Sequence, residues 1–548
     1  MSGTHEVFNQ PPDLVDYDLA GADPVLVESM EREGGGWATD KVQSYGRKMA
    51  SEEMIALGFK ANENKPELHT HDRYGNRIDR VEFHSSWHQL LDIAVSEGLH
   101  SLPWERGPGE GGYPARVALT FLASQIEAGH WCPISMACSA IPTLRLQPEV
   151  ASFWEPLQLS RDYDPSFQPA TKKTGVMFGM GMTEKQGGSD VRSNTTIAEP
   201  LNGGGPGAEY LITGHKWFMS SPMSDAFLIL ANAPGGLSCF LLPRFTPDGE
   251  LNRIRLQRLK NKLGNWSNAS SEAEFDGAWA QMVGGEGRGV RAIIEMVAGT
   301  RLDCIVGSAS LMRQAVTQAV HHTVHRSAFG SPLIEKPAML NVLADLEVET
   351  EAAVVMMMRV AGAFDRADMD EHEAGIKRIL TPVVKYWVTK RCSEVVREAL
   401  ECLGGNGYVE ESIMPRLYRE SPLNAIWEGS GNVMALDVIR VLTREQDAVE
   451  ALRQELDSAS GGDPALDRAI DSAFRAIQSP EEPEYQARRL VEDLAMAVAG
   501  ALLAQHGRPE VWEAFAMSRL DSDHGYLYGT LPTPVRAREI VEPAVPRH

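Results

Sequence analysis

The chain has 548 residues, of which 43% are hydrophobic and 23% are charged, and its formal net charge at pH 7 is −23. This length exceeds what one hydrophobic core can organise and predicts three or four domains. No run approaches the roughly 20 apolar residues that a membrane-spanning helix needs. The acidic balance opposes long-range attraction to nucleic acid, so a DNA contact would require a local basic patch.

The N-terminal residues contain no basic segment followed by an apolar run, so we expect no signal or transit peptide and a cytoplasmic protein. The six cysteines form no close Cys-x-x-Cys pair, which favours reduced, buried thiols over disulfides or zinc ligands. His321 and His325 have the i, i+4 spacing of a metal-binding pair, but no Glu lies between them and no third ligand is evident. We therefore predict no bound metal.

The first half of the chain contains two successive sequence patterns, one typical of helices and one typical of strands. Residues 1–180 show apolar side chains at helical spacing, which predicts an α-helical domain. Residues 181–284 contain short β-rich runs that are cut by glycine and proline. This pattern predicts a compact β domain.

The second half of the chain is predicted to be helical. In residues 285–443, long helical patterns separated by tight breaks indicate an antiparallel helix bundle. These patterns cover about residues 288–325, 337–366 and 371–403. Residues 444–548 form a further helical segment, with breaks at Gly461-Gly-Asp-Pro and Ser479-Pro-Glu-Glu-Pro.

The segment from Met180 to Val191 contains Gly187 and Gly188 together with the hydroxyls of Thr183 and Ser189. Glycine frees the backbone amides, and with the hydroxyls these can hydrogen-bond a polar ring or a phosphate. A plain turn between two strands would use the same residues. The segment alone therefore leaves both interpretations open.

Two further segments can also be read in two ways. Between Gly214 and Ser221, Trp217 lies on a strand where it could stack on an aromatic cofactor while Ser220 bonds its edge, or could simply fill the core. The glycines of Leu403-Gly-Gly-Asn-Gly-Tyr408 would let the backbone approach a pyrophosphate. A turn that ends a helix explains them equally well.

In the segment Ala425 to Asn432, the carboxylate of Glu428 lies between Trp427 and a glycine. Burial against the indole would raise the pKa of this carboxyl and suit it to proton abstraction near neutral pH. A partly buried structural glutamate is the alternative.

The four segments, in this order and with a β domain between two helical ones, resemble the acyl-CoA dehydrogenase superfamily. The resemblance implies a mainly α fold with a central β-barrel domain and a C-terminal four-helix bundle, to which residues 444–548 add a helical domain. It also implies FAD as the cofactor, an acyl-CoA thioester as the substrate, and a homotetramer that shares its FAD sites between subunits.

The family's motifs, matched position by position, imply the residues of the site. Those expected to contact FAD are Met182, Thr183, Gly188, Ser189, Trp217, Ser220, Arg326, Phe329, Gly404, Gly405, Trp427, Ser430 and Asn432. Arg326 and Phe329 match the segment that reaches the FAD of a neighbouring subunit. The match implies that Glu428 occupies the position of the family's usual α-proton base. Some branched-chain relatives carry their base in another helix, and Thr300 stands at that place here. Lys336-Pro337 departs from the family's Phe-Gln.

Within the superfamily, segments such as Val7-Phe-Asn-Gln-Pro and Arg416-Leu-Tyr-Arg-Glu are most similar to flavoproteins of the DNA-alkylation response. The predicted function is an FAD-dependent acyl-CoA dehydrogenase of weak activity, with Glu428 as the base and the flavin as hydride acceptor. Two alternatives stay open: a DNA-binding, alkylation-protective flavoprotein with vestigial dehydrogenase activity, and an acyl-CoA oxidase.

Binding of double-stranded DNA would need basic side chains near the C-terminal region. Arg440 and Arg444 lie one helical turn apart and could form a basic groove with Arg416 and Arg419, although a solvated helix face explains them equally well. From residue 441 to 548 there are 11 Lys and Arg against 19 Asp and Glu, a net charge of −8 that opposes DNA binding. The basic run at residues 253–262 is interpreted as a solvated strand face.

Overall fold

A computed structural model describes residues 3–478 and 483–548 of the chain. Most of the break predicted at Ser479-Pro-Glu-Glu-Pro lies outside these described residues. The chain forms two compact units, which we call the helical unit and the barrel unit. The helical unit comprises Met1–Ile55, Arg106–Ile126 and Cys304–His548, and the barrel unit comprises Ala56–Glu105 and Glu127–Asp303.

The described chain is mainly helical. Its α-helices are α1 (Leu26–Met30), α2 (Thr39–Met49), α3 (Glu52–Glu63), α4 (Ser85–Ser96), α5 (Leu102–Glu105), α6 (Gly112–Ile126), α7 (Trp131–Leu144), α8 (Pro148–Gln158), α9 (Gly289–His325), α10 (Pro337–Arg366), α11 (Glu371–Cys402), α12 (Met414–Glu420), α13 (Gly431–Arg444), α14 (Gln446–Asp457), α15 (Pro464–Gln478), α16 (Pro483–His506), α17 (Pro509–Phe515) and α18 (Ala537–Val541). The three long helices expected from the sequence are α9, α10 and α11, with ends within one residue of the prediction. Among the described residues, no helix combines the length and the apolar character needed to cross a membrane.

The strands build one large sheet and two small hairpins. They are β1 (Glu67–His71), β2 (Arg77–Glu82), β3 (Phe178–Gly181), β4 (Ile197–Pro200), β5 (Glu209–Ser220), β6 (Ala226–Ala233), β7 (Gly236–Pro243), β8 (Ile254–Leu259), β9 (Ser270–Val283), β10 (Ser327–Ala328) and β11 (Ser331–Pro332). In the large sheet the pairing runs β6–β7–β9–β5–β4 and returns from β4 to β6, which closes a barrel. β3 adds in parallel to β6, and β8 pairs with β9. The predicted central β-barrel is confirmed.

Residue patterns explain which strands are covered on both faces. On β5, Tyr210 and Ile212 alternate with more exposed residues and point into the barrel core. β6 is buried almost continuously: Phe227 and Ile229 belong to the barrel core, while Leu228 and its neighbours pack in a second cluster with α7 and α8. A strand covered on both faces reads as a continuous apolar run, as this one does.

In the helical unit, α10 packs on α11, and α11 packs on α13. The C-terminal helix α16 packs on α10, α11 and α13, and α18 packs on α10. α10 is buried throughout Leu343–Asp365, although it carries acidic side chains. Its buried carboxylates have arginine partners: Arg313 with Glu347 (2.7 Å), Arg391 with Glu349 (3.3 Å) and Arg508 with Glu351. Arg508 belongs to the C-terminal segment, so its hydrogen bond to Glu351 as well as apolar packing attaches this segment to the bundle.

All six cysteines are buried and none is bridged, as the sequence predicted. His321, considered above as a metal ligand, and Thr300, at the alternative base position, both make hydrogen bonds within the fold. The imidazole Nε2 of His321 lies 2.9 Å from the carbonyl oxygen of Pro12. The buried hydroxyl of Thr300 donates to the carbonyl of Val297, at 3.0 Å. Among the described residues, no group of three or more His, Cys, Asp or Glu side chains lies close enough to hold a metal ion.

Candidate functional site

In the barrel unit, a buried ion pair fixes the loop that carries Met182, Thr183, Gly188 and Ser189. The carboxylate of Glu184 accepts hydrogen bonds from the Lys216 ammonium at 2.9 Å and from the backbone amide of Thr195 at 2.7 Å. Both side chains of the ion pair are fully buried. Burial alone would raise the pKa of Glu184, but these hydrogen bonds and the Lys216 charge hold it well below its usual range. The loop is thereby attached to β5 immediately before Trp217.

The same loop meets β5 through its backbone. The amide of Trp217 donates to the carbonyl of Thr183 at 2.8 Å. A Cβ at position 188 would lie 2.5 Å from the Thr183 hydroxyl oxygen, so this close approach requires glycine. The structure therefore brings Thr183, Gly188 and Trp217 together, with Ser189 exposed beside them. After a bulge in β5, Ser220 is half-buried and pairs with Ser270 of β9.

Cationic side chains surround the indole of Trp217, a feature that the sequence analysis missed. The ammonium of Lys260 lies 3.2 Å from the ring centroid, and the guanidinium of Arg258 lies 5.6 Å from it. Glu272 of β9 binds both cations, at 2.7 Å and 2.6 Å. The i, i+2 spacing of Arg258 and Lys260 was a signal that their side chains lie on the same side of the chain. Trp217 is therefore a half-exposed ring in a polar, basic setting rather than part of the core.

In the helical unit, Glu428 lies at the apex of a strained turn. Its φ of +57° is in the left-handed region, which is uncommon for a residue with a side chain, and Gly429 follows at +102°. The buried ammonium of Lys385 donates to the carbonyl of Trp427 at 2.9 Å and to the carbonyl of Gly429 at 2.6 Å. These carbonyls belong to the two residues on either side of Glu428 in sequence. Such backbone strain persists only where surrounding contacts hold it, and it concentrates at functional sites.

Further hydrogen bonds orient the side chains around this turn. The Trp427 indole donates to the Asn424 carboxamide oxygen at 2.8 Å, and Asn424 donates to the Ser308 hydroxyl at 3.2 Å. Ser430 occupies the N-cap position of α13. The carboxamide oxygen of Asn432 accepts from Arg488 of α16 at 2.8 Å. No sequence signal pointed to Arg488, because it lies in the added C-terminal segment.

The glycine turn after α11 has two glycines with free space beside them. A Cβ on Gly404 or Gly405 would meet nothing within 4 Å, whereas a Cβ on Gly407 would lie 2.4 Å from the Leu400 carbonyl. Gly404 and Gly405 are exposed, and Gly404 has a φ of +59°. Gly407 is therefore required by the fold, while the other two expose a backbone that a diphosphate can approach.

The N-terminal segment connects this glycine turn with the predicted intersubunit residues. Arg326 donates to the backbone carbonyl of Asn9 at 2.7 Å, and Asn406 donates to the Gln10 side chain at 3.2 Å. Phe329 has a φ of +50° and is 99% exposed. Lys336, at the departure from the family's Phe-Gln, donates to the Phe329 carbonyl at 3.2 Å.

Of the four arginines suggested for a basic groove, Arg416 is buried, and Arg419 and Arg440 pair with carboxylates. Arg416 is buried and donates to the carbonyl of Ile126, because it supports packing inside the helical unit. Arg419 pairs with Glu410 at 2.6 Å. Arg440 and Arg444 are exposed on α13, and Arg440 pairs with Asp437 at 3.0 Å. The basic run at residues 253–262 is likewise paired with carboxylates of β9, including Arg255 with Asp276.

Sequence families cover most of the chain. Residues 9–165 match the Adaptive response protein AidB N-terminal domain, residues 179–278 match the Acyl-CoA dehydrogenase, middle domain, and residues 287–443 match the Acyl-CoA dehydrogenase, C-terminal domain. AidB of Escherichia coli (strain K12) is 44% identical over 523 residues, which is 95% of this chain and 95% of that protein. Acyl-CoA dehydrogenase family member 11 of Caenorhabditis elegans is 31% identical over 85% of this chain and 79% of its own length.

Solved structures show the same fold. The structure of Caenorhabditis elegans ACDH-11 in complex with C11-CoA has a TM-score of 0.84 at 28% identity, and covers 100% of this chain and 94% of that chain. An acyl-CoA dehydrogenase from Bacillus anthracis complexed with FAD has a TM-score of 0.65 at 18% identity, over 80% of this chain and 81% of that chain. With AidB as a close relative over nearly its whole length, this chain belongs to the acyl-CoA dehydrogenase family.

Proposed function

We propose that this protein is an FAD-dependent acyl-CoA dehydrogenase of the AidB type, in which Glu428 removes the α-proton of an acyl-CoA thioester. The observation that carries the proposal is the left-handed Glu428 turn, whose flanking carbonyls are both bonded to the buried Lys385. A strained, fully supported turn with a carboxylate at its apex is expected where that carboxylate must meet a substrate atom in one orientation.

Members of this family bind FAD. In the barrel unit, the close contacts among Thr183, Gly188 and Trp217 fit a polar aromatic ring. The cations beside the Trp217 indole could bind the electron-rich edge of that cofactor ring, or a phosphate. In the helical unit, the open backbone at Gly404 and Gly405 fits a diphosphate. When bound, FAD supplies the acceptor for the hydride that leaves the β-carbon of the thioester.

The chain's own residues supply the base and its orientation. The Glu428 carboxylate accepts the proton that leaves the α-carbon. The electron pair of the broken carbon–hydrogen bond stays on the α-carbon and forms the new double bond to the β-carbon as the hydride leaves. Lys385 holds the backbone carbonyls of Trp427 and Gly429, the residues on either side of Glu428. The indole of Trp427, the residue before Glu428, is held in place by its hydrogen bond to Asn424.

The substrate class follows from the thioester chemistry of the family and from one relative. ACDH-11 was crystallised in complex with C11-CoA, and we propose that C11-CoA is also a substrate or close analogue for this protein. The direct test is an anaerobic titration of the purified, FAD-loaded protein with C11-CoA while the flavin absorbance is followed. We expect bleaching of the oxidised flavin band. A protein that binds no FAD, or whose flavin is not reduced by any member of an acyl-CoA panel, would overturn the proposal.

The same preparation distinguishes the two alternative functions. Reoxidation of the reduced flavin by oxygen within the turnover time would identify an acyl-CoA oxidase. Absence of reduction by thioesters, together with binding of double-stranded DNA that weakens steeply with salt, would favour the DNA-protective flavoprotein. The burial of Arg416 and the pairing of Arg440 give no support to that last outcome.

We also propose that the active form is a homotetramer. The fully exposed Phe329 on a left-handed turn is an apolar side chain without cover in the single chain. Arg326, on the same segment, is already oriented by the Asn9 carbonyl. Both observations support a role for this segment in completing the FAD site of a neighbouring subunit.

A further inference from the structure

The barrel unit contains a cavity of about 100 Å³ between α4, the start of β3 and β6, and the loop that follows α8. Its walls are mixed: polar and charged side chains line it together with apolar and aromatic ones, which include Phe83, Trp87, Met223 and Phe245. Phe83 and Trp87 stack with ring centroids 3.9 Å apart. None of the residues expected to contact FAD lines this cavity, so neither the cofactor nor Glu428 accounts for it.

A small cluster of buried charges also lines the cavity. Lys173 and Asp225 form an ion pair at 2.7 Å, with both side chains largely buried. Arg244 is 3% exposed, and its Nε donates to the backbone carbonyl of Ser224 at 3.2 Å. Burial lowers the pKa of Arg244 to about 10, which leaves it charged near neutral pH. The buried cluster therefore has two positive groups against one negative group.

The other charged groups near the cavity do not neutralise the excess positive charge of this buried cluster. Arg80, Glu82 and Asp164 also line it, but they lie nearer to solvent, where charges are screened more strongly. Asp79 is buried near Arg244, but it is paired with Arg77 at 2.7 Å. A bound anion would bring the buried part of the cavity to neutrality.

Four of the lining side chains have a buried polar atom with no hydrogen-bond partner among the residues that the structure describes. These atoms are Trp87 Nε1, Ser224 Oγ, Arg244 Nη2 and Asn268 Nδ2. Each side chain is more than nine-tenths buried. All four atoms can donate a hydrogen bond, and three of them cannot accept one. Buried donors are nearly always paired, so their common requirement is an acceptor-rich ligand group.

From this geometry we propose that the cavity is a binding site for a small organic carboxylate, whose carboxylate lies against Arg244 and the other donors while its apolar body lies against Phe83 and Trp87. A dry cavity of about 150 Å³ accommodates benzene, so this smaller cavity of about 100 Å³ fits a ligand with roughly four to six non-hydrogen atoms. Butyrate has this size and chemistry. The proposal does not depend on the dehydrogenase activity.

The first test compares butyrate with the isosteric, uncharged butyramide by calorimetric titration of the full-length, FAD-loaded protein. Hydrogen bonds to charged groups are the stronger ones, so we expect saturable binding of butyrate and at least about tenfold weaker binding of butyramide. Equal affinities, or no saturable binding of butyrate at tens of millimolar, would overturn the proposal.

Variants locate the site. Met223→Trp fills the cavity and keeps all of its charged side chains, although it removes the sulfur that accepts a hydrogen bond from the Val81 amide. It should abolish butyrate binding while the flavin absorbance and circular dichroism stay unchanged. Arg244→Met should weaken butyrate by about tenfold or more, and the exposed Arg255→Met is the matched control that should not. If Arg244→Met does not fold, Met223→Trp decides the question. Full butyrate binding by a folded Met223→Trp protein would overturn the assignment of the cavity.

A competition experiment separates this site from the proposed thioester site. Saturating C11-CoA should leave the affinity for butyrate unchanged, because the cavity residues and the Glu428 turn are distinct. Displacement of butyrate by C11-CoA would show that butyrate occupies the acyl site, and would contradict a separate carboxylate site. Loss of flavin reduction in other experiments would leave the butyrate result standing, so the two proposals fail independently.

Discussion

The ammonium of Lys385 lies 2.6 Å from the carbonyl oxygen of Gly429, and the same ammonium also donates to the carbonyl of Trp427. A buried lysine of α11 thus holds the backbone carbonyls of the two residues on either side of the left-handed Glu428. The cost of burying a charge is offset here by hydrogen bonds to carbonyl dipoles. This relationship connects a feature of the bundle to the position of the candidate base.

Lys385→Met should slow flavin reduction by C11-CoA by at least about tenfold, because two buried carbonyls lose their donor and the Glu428 turn can relax. The effect should fall on kcat more than on KM, since the methionine keeps the packing. Lys377→Met, on the same helix about two turns earlier, is the control and should retain the wild-type rate. An unchanged kcat in Lys385→Met would mean that the turn does not need this lysine.

Trp217→Ala should weaken FAD binding by roughly five- to tenfold, because an aromatic pair contributes about 0.5–1.5 kcal/mol beyond area burial. Fluorescence titration of the apoprotein with FAD measures the change. Trp512→Ala, at a tryptophan in the C-terminal segment, should leave FAD affinity unaltered. If both variants bind FAD like the wild type, Trp217 has no part in the cofactor site.

Phe329→Glu should lower the oligomeric state and release FAD on dilution. It replaces an apolar side chain, which we propose enters a subunit interface, with a charged one. Light scattering coupled to size exclusion measures the assembly. Tyr485→Glu, at another strongly exposed aromatic residue, should leave the assembly intact. A wild-type chain that is monomeric with full FAD occupancy would contradict the shared site.

The thermal stability should fall between pH 5 and pH 8 in a manner that depends on Glu351. Burial, with the neighbouring Glu347 charge, raises the pKa of Glu351 to about 8 against the opposing effect of Arg508, while an ordinary glutamate titrates at 4.5. Between these values the folded chain holds one more proton than the unfolded chain. The stability contribution is therefore complete below pH 4.5 and is lost as the pH rises through 8.

Glu351→Gln removes this titration, so its midpoint of thermal unfolding should depend less on pH over the same interval. Each kcal/mol corresponds to roughly 2–4 °C for domains of 150–250 residues, so a difference of several degrees in the pH-dependent drop is expected. Glu53→Gln, at an exposed glutamate on α3, should follow the wild-type curve. Parallel curves for Glu351→Gln and the wild type would show that the carboxyl is ionised throughout.

Much of the fold could be predicted because strong local patterns carry it. The long helices α9 to α11 have sustained apolar periodicity with glycine or proline at their ends, and their bounds fall within one residue of the prediction. The barrel strands were recognisable as short apolar runs. Their closure into a barrel was expected only from the family resemblance, because the pairing of β4 with β6 joins distant segments and leaves no local pattern.

The motifs of the site could be predicted from the sequence, but the residues that hold those motifs in place could not. Glu428 was recognised as the candidate base from its motif. Lys385 lies 43 residues away in sequence, and no local pattern indicates its contact with this turn. Arg416 was misinterpreted because an arginine in a helix usually faces solvent, while here its guanidinium donates to a buried carbonyl. The cationic setting of Trp217 depends on the register of β8 with β9, which the sequence left undetermined.

Single-turnover reduction of the flavin by C11-CoA in rapid mixing, compared between wild type and Glu428→Gln, tests the central claim most directly. The amide keeps the size of the side chain but cannot accept the α-proton, so the variant should retain FAD and lose about 10²–10⁴-fold in rate. Glu53→Gln should reduce its flavin at the wild-type rate. If Glu428→Gln also reduces its flavin at the wild-type rate, Glu428 is structural and the dehydrogenase mechanism proposed for this chain is wrong.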